Sequence, residues 1–184
     1  MFDPYGQYQA ASLIPTGSEK RHDPGVQAVG RAMSAFQSLH WRAQLKHAFG
    51  KLTRRSHSLL DLDDVRRTRT IESMHDAGCL TIELRKIRGS ECRVCDFDDE
   101  FLPLHGVMGQ RWAGIYASRL CGESLPAISV VQAGSFYYVR DGHHRISVAR
   151  LMGEEYIDAH VQVWQLKGET NAAPAMSTQL LAMS

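Results

Sequence analysis

The stretch Asp141-Gly142-His143-His144-Arg145 gathers the most chemistry into the fewest residues: a carboxylate, two imidazoles and a guanidinium around one glycine. The residues before it, Phe136-Tyr137-Tyr138-Val139-Arg140, are aromatic and β-branched and read as a strand. Those after it, His143 to Met152, read as a helix that Gly153 stops. A strand handing over to a helix at Asp141-Gly142 turns the unpartnered N–H groups of the first helical turn outward, at the positive end of the helix dipole. Phosphate loops bind anions by the same physics. Gly142 carries no Cβ, so a ligand can approach the backbone closely. Basic residues in a first turn oppose the dipole, and a bound anion would offset that cost. The plainer alternative is that Asp141 caps the helix, accepting from the N–H of His143 or His144. The histidines would then be surface residues and Arg145 a salt-bridge partner.

The surrounding elements must position this box. Ile128 to Gln132 alternates as a strand, Ala133-Gly134-Ser135 is a hairpin turn, and Tyr156 to Trp164 is a last alternating strand. Thr81 to Ile87 reads as an earlier strand followed by a turn at Gly89-Ser90, and Trp112 to Leu120 as a helix ending at Gly122. From Gly25 to about Leu52, Val26, Val29, Met33 and Phe36 recur at helical spacing, with Trp41, Arg42, Lys46 and His47 among them. Leu59 to Val65 starts a short helix with Asp61 or Asp63 as its cap. Residues 1–24 and 167–184 lack periodicity and read as flexible tails. The expected organisation is therefore a tail (1–24), a basic helical arm (25–80), a compact α/β domain (81–166) and a second tail (167–184).

Net charge is only +1, which hides an asymmetry. Residues 19–70 hold 11 Lys/Arg against 5 Asp/Glu, a net of +6, whereas residues 71–184 hold 10 against 14, a net of −4. A basic front suits an anionic partner; a solvated helical face is the ordinary alternative. No apolar run nears the roughly 18 residues of a membrane span, and Met1 to Gly17 lacks a signal-peptide pattern, so a cytoplasmic protein with no membrane partner is expected. Of the cysteines, only Cys92 and Cys95 form a CxxC, and no second pair completes a zinc site, although His105 or Cys121 could in principle contribute. Reduced thiols and no metal site are expected.

Residues 126–163 resemble the core of the ParB/sulfiredoxin superfamily. Pro126 to Val139 is similar to its hairpin, Asp141 to Arg145 with Ser147, Ala149 and Gly153 to its nucleotide box, and Ile157 to Val161 to the strand that follows. Gly142, Arg145 and Ala149 match the ParB box, from which His143 and His144 depart. Gly142, His144 and Arg145 match the sulfiredoxin box, but His143 stands where the catalytic cysteine would be, so sulfinic-acid reduction is not expected. The free serine kinases of this fold carry the box most like Asp-Gly-His-His-Arg. Ile87 to Ser90, Arg93 and Asp96 to Pro103 are similar to uncharacterised bacterial ParB-like proteins, in which the positions of Cys92 and Cys95 are not usually cysteine. The resemblance spans roughly residues 82–165 and omits the ParB helix-turn-helix. It implies an α/β (α+β) fold, a small mixed sheet with helices preceded by a helical N-terminal arm.

Two readings follow from the resemblance. In the first, Gly142, His143, His144, Arg145, Ser147 and Arg93 bind a nucleoside di- or triphosphate, with or without Mg²⁺, in a regulatory module. That module would associate with DNA through Arg54, Arg55, Arg66 and Arg67, or with a second copy of itself; Trp41 could stack. In the second, the chain is a small-molecule kinase or nucleotide hydrolase. Asp141, or one of Asp96, Asp98, Asp99 and Glu100, would then be the base or metal ligand. A solvated acidic run is the alternative for the last four.

Overall fold

The computed structural model describes residues 24–53 and 57–168. Arg54, Arg55 and nearly all of both expected tails lie outside the described residues. The chain runs α1 (Pro24–Thr53), β1 (Leu60–Asp61), α2 (Leu62–Thr68), β2 (Ile71–Glu83), β3 (Ile87–Ser90), α3 (Gly109–Leu120), β4 (Ile128–Ala133), β5 (Phe136–Asp141), α4 (His143–Leu151) and β6 (Tyr156–Leu166). The strands form one mixed sheet in the order β1-β3-β5-β4-β6-β2. β4 pairs antiparallel with β5 and parallel with β6, β5 pairs parallel with β3, and β2 pairs antiparallel with β6. The expected fold class, a mixed sheet with helices behind a helical arm, is the one observed.

Alternation decides what each face of the sheet packs against, because successive strand side chains point to opposite faces. Ile128 and Val130 of β4, Tyr137 and Val139 of β5, and Val161 and Val163 of β6 join Phe36 and Leu39 of α1, Trp112 of α3 and Ile146 of α4 in the main core. Val131, Tyr138, Trp164 and Leu166 take the other face, covered by Leu62 of α2. Asp61 caps α2 as expected, its carboxylate accepting from the N–H of Asp63 at 2.9 Å.

Three expectations are corrected. The single strand Thr81 to Ile87 is broken by a 3-10 turn at Leu84–Lys86, where the Leu84 N–H donates to the Glu155 carbonyl. The expected turn at Gly89-Ser90 is instead the end of β3. Glycine is required at 89 because a Cβ there would lie 2.6 Å from the Leu60 carbonyl oxygen and would overlap the Tyr138 ring. The arm is also not helical throughout 25–80, since Ile71 onward belongs to the sheet as β2. There the pairing with β6 overrides a sequence with little alternation of its own.

Candidate functional site

β5 ends at Asp141 and α4 begins at His143, so the box sits at the strand-to-helix handover. Gly142 is the N-cap residue, at φ +105°. That left-handed conformation, together with a 2.8 Å approach of a would-be Cβ to Ile128 Cβ, explains the glycine. Among the described residues no side chain caps α4, and no acidic residue stands in its first turn. The capping alternative for Asp141 is therefore not what forms. Its carboxylate takes the Arg145 guanidinium instead, at 2.5 Å. The first backbone hydrogen bond of α4 is from the Ile146 N–H to the Gly142 carbonyl, which leaves the preceding N–H groups facing out of the helix end.

A cleft of about 80 Å³ lies over this helix end, lined by Arg93, Arg111, Ile115, Asp141, Gly142, His143, His144 and Arg145. Arg93 comes from the loop after β3. The loop is pinned by the Arg93 N–H donating to Ser90 Oγ at 2.9 Å, while the side chain reaches Asp96 at 3.3 Å. Arg111 comes from α3, is exposed, and has no hydrogen bond or ion pair among the described residues. Sequence reading missed it, because nothing in the pattern of α3 says which of its residues turns toward α4.

The two histidines are not surface residues. His143 is 4% exposed and His144 7%. His143 stacks on Phe97 at 5.6 Å, and its Nε2 shares a 2.8 Å hydrogen bond with Ser90 Oγ. His144 lies edge-on to Phe97, and its Nδ1 is buried with no hydrogen-bond partner among the described residues. Burial, reinforced for His143 by Arg93 and for His144 by Arg111 and Arg93, pushes both pKa values down to about 4. Both rings are therefore neutral near pH 7. They offer the cleft polarity and shape rather than positive charge, so of the basic residues read in the first turn only Arg145 is charged.

Other expected site residues divide. Arg145 lines the cleft, but Nη1 donates to the Pro126 and Ala127 carbonyls at 2.5 and 2.8 Å and Nη2 to Asp141, so it ties α4 to the chain entering β4. Ser147 lies outside the cleft, buried, accepting from Trp112 Nε1 at 2.9 Å and locking α3 to α4. Asp98, Asp99 and Glu100 converge on Lys46 Nζ of α1 at 3.0, 2.5 and 3.0 Å. They clasp the arm to the domain, and Asp98 also accepts from the N–H groups of Glu100 and Leu102. Lys46 thus holds Asp99 below the usual carboxylate range against the opposing effect of burial. Arg66 is held by Asp63 and Glu91 and lies 5.0 Å over the Trp164 ring, and Arg67 is paired with Asp64. Neither is a spare cation. Cys92 and Cys95 are exposed thiols.

A larger cleft, about 530 Å³, opens at the other end of α4 between Arg85, Arg88, Arg150, Glu83, Glu154 and Glu155. Most of its charges are spent internally. Arg85 and Lys86 pair with Glu83, and Glu154 pairs with Arg119. Arg150 donates to the Leu84 and Ile87 carbonyls and lies over Phe101. Its size does not make it the better candidate, because among the described residues no open helix start lines it.

No protein-family model matches the chain, and no curated protein matches it. Among solved structures it is similar to sulfiredoxin from Arabidopsis thaliana, at 22% identity and a TM-score of 0.30, over 45% of this chain and 82% of that one. A likeness this loose says nothing about activity.

Proposed function

We propose that the chain binds the phosphates of a nucleoside di- or triphosphate at the start of α4 and acts as a nucleotide-dependent regulatory module. One observation carries the reading. An uncapped helix N-terminus and two arginines from other elements, Arg93 and Arg111, meet in one small cleft. Each feature favours an anion, and together they surround a volume suited to phosphoryl groups rather than to a whole nucleotide. The sugar and base would then lie outside, toward the exposed rims that carry Arg93 and Arg111. Asp141 is the one carboxylate lining the cleft among the described residues and is engaged by Arg145. Mg²⁺, where required, would be held chiefly by phosphate oxygens and water.

Binding is favoured over turnover because Asp98, Asp99 and Glu100, the acidic run a phosphotransferase would draw on, face Lys46 instead. DNA association would run through the arm. Arg66 and Arg67 are already paired, which leaves Arg54 and Arg55 to supply phosphate contacts. A thermal-shift screen of the intact protein against nucleoside di- and triphosphates, with and without Mg²⁺, tests the reading. A ligand that binds only the native state raises the melting temperature, by about 2.7 kcal/mol of stability at a hundredfold excess over Kd. No shift with any nucleotide at millimolar concentration would remove it.

A further inference from the structure

Helix α1 has two apolar faces, and the domain uses only one. Ala32, Phe36, Leu39 and Ala43 are buried, with Phe36 against Trp112 of α3. On the opposite side Trp41, Leu45, Phe49 and Leu52 are 69%, 55%, 65% and 81% exposed. Steps of four, four and three residues align these side chains in one stripe along three helical turns. Four large side chains this exposed present on the order of 500 Å² of apolar surface, the size at which a patch on a monomer is often functional.

The charge around the stripe narrows what covers it. From Pro24 to Thr53 the helix contains no Asp or Glu, and its cations are Arg31, Arg42, Lys46 and Lys51. Lys46 is neutralised by Asp98, Asp99 and Glu100. Arg42 is exposed directly after Trp41, with no hydrogen bond or ion pair among the described residues. We infer that this stripe docks an acidic amphipathic helix of a partner protein, with apolar residues at helical spacing on Trp41, Leu45, Phe49 and Leu52 and carboxylates beside Arg42. A helix laid into an apolar seam and read at such spacing is a recurring mode of protein recognition. Nucleic acid fits less well, because Leu45, Phe49 and Leu52 would set apolar surface against phosphates. A second copy fits less well, because two acid-free basic helices would lie face to face.

The inference does not depend on the nucleotide site. Its test uses the full-length protein to select from a displayed library of short helical peptides, with Leu45→Glu as the counter-target. Of the three tryptophans, Trp112 and Trp164 are 0% and 1% exposed, so acrylamide quenching reports Trp41. The expected result is peptides with acidic residues flanking i, i+4 apolar ones, which protect Trp41 from quenching and bind more weakly as salt rises. They should lose about tenfold or more in affinity to Leu45→Glu, as truncation of an interface anchor commonly does. Arg42→Glu leaves the apolar stripe intact and should weaken the same peptides several-fold, which keeps the test sound should Leu45→Glu misfold. The inference is overturned by a selection that enriches nothing, or by enriched peptides that lack acidic residues or bind both variants as the parent. It is equally overturned if sedimentation shows a parent dimer that Leu45→Glu dissociates, or if phosphatidylserine vesicles or duplex DNA protect Trp41 and the acidic peptides do not.

Discussion

Two arginines at the cleft should behave oppositely when replaced. Arg111 is exposed and has no partner among the described residues. Arg111→Ala should therefore change stability by no more than about 0.5 kcal/mol. A charge-assisted hydrogen bond to phosphate contributes about 1.5–3 kcal/mol, so the same variant should bind nucleotide roughly 10- to 150-fold more weakly. Arg145 makes two bonds to backbone carbonyls and one to Asp141. Asp141 is 65% exposed, so screening leaves that pair about 0–1 kcal/mol, and the carbonyl bonds dominate. Arg145→Ala should cost about 2–3 kcal/mol overall, and at roughly 2–4 °C per kcal/mol it should lower the melting temperature by about 4–12 °C. Thermal denaturation and calorimetric titration with the best nucleotide from the screen measure both effects in one preparation. Parental nucleotide affinity in Arg111→Ala would refute its place in the site. A parental melting temperature in Arg145→Ala would refute its structural role.

Other consequences follow from the buried groups. His143 and His144 have folded pKa values near 4 against about 6.5 when unfolded, so the unfolded state binds their protons first as pH falls. Their contribution, at most about 3 kcal/mol each, is present above pH 6.5 and is lost on descent toward pH 4. Urea denaturation should show stability falling between pH 6.5 and 5 in the parent and less so in His144→Gln. An equal slope in both would contradict the burial of His144. Because both rings are neutral at pH 6–8, nucleotide affinity should not rise tenfold between pH 8 and 6; a titration series showing such a rise would mean the rings titrate within the site. Lys46→Met strands the fully buried Asp98 carboxylate and should cost about 3 kcal/mol or more in the same assay. Gly142→Ala forces a side chain to φ +105° and into Ile128, and should lower stability by about 2 kcal/mol or more.

The part of the fold that alternation and glycine punctuation encode locally was readable from the sequence. β4, β5, α4 and β6 lie within a residue or two of their expected ends. Their Val, Ile and aromatic residues satisfy both the strand period and the burial on each face. The misread segments are those set by distant partners. The exposed, bulged half of β2 is held by β6 rather than by its own pattern, and Gly89 looks like a turn until the Tyr138 ring is seen against it. At the site, the position of the box at the strand-to-helix handover was legible, but the reason for Gly142 was not, because it is set by a positive φ and by the distant Ile128 side chain. The charge state of the histidines was not, because it depends on Phe97 and Phe101 folding over them from a loop some forty residues upstream. Arg111 was invisible for the same reason, and Lys46 claimed acidic residues that the sequence left available for catalysis.

The start of α4 can be observed directly by titrating isotope-labelled protein with a nucleoside triphosphate and following backbone amide resonances. Phosphate seated on the helix end predicts that the amides of His143, His144 and Arg145 shift most, with the Arg111 and Arg93 side-chain signals moving at the same ligand concentration. Unmoved amides at 143–145, or shifts centred on the Arg88 and Arg150 cleft at the far end of the helix, would contradict it.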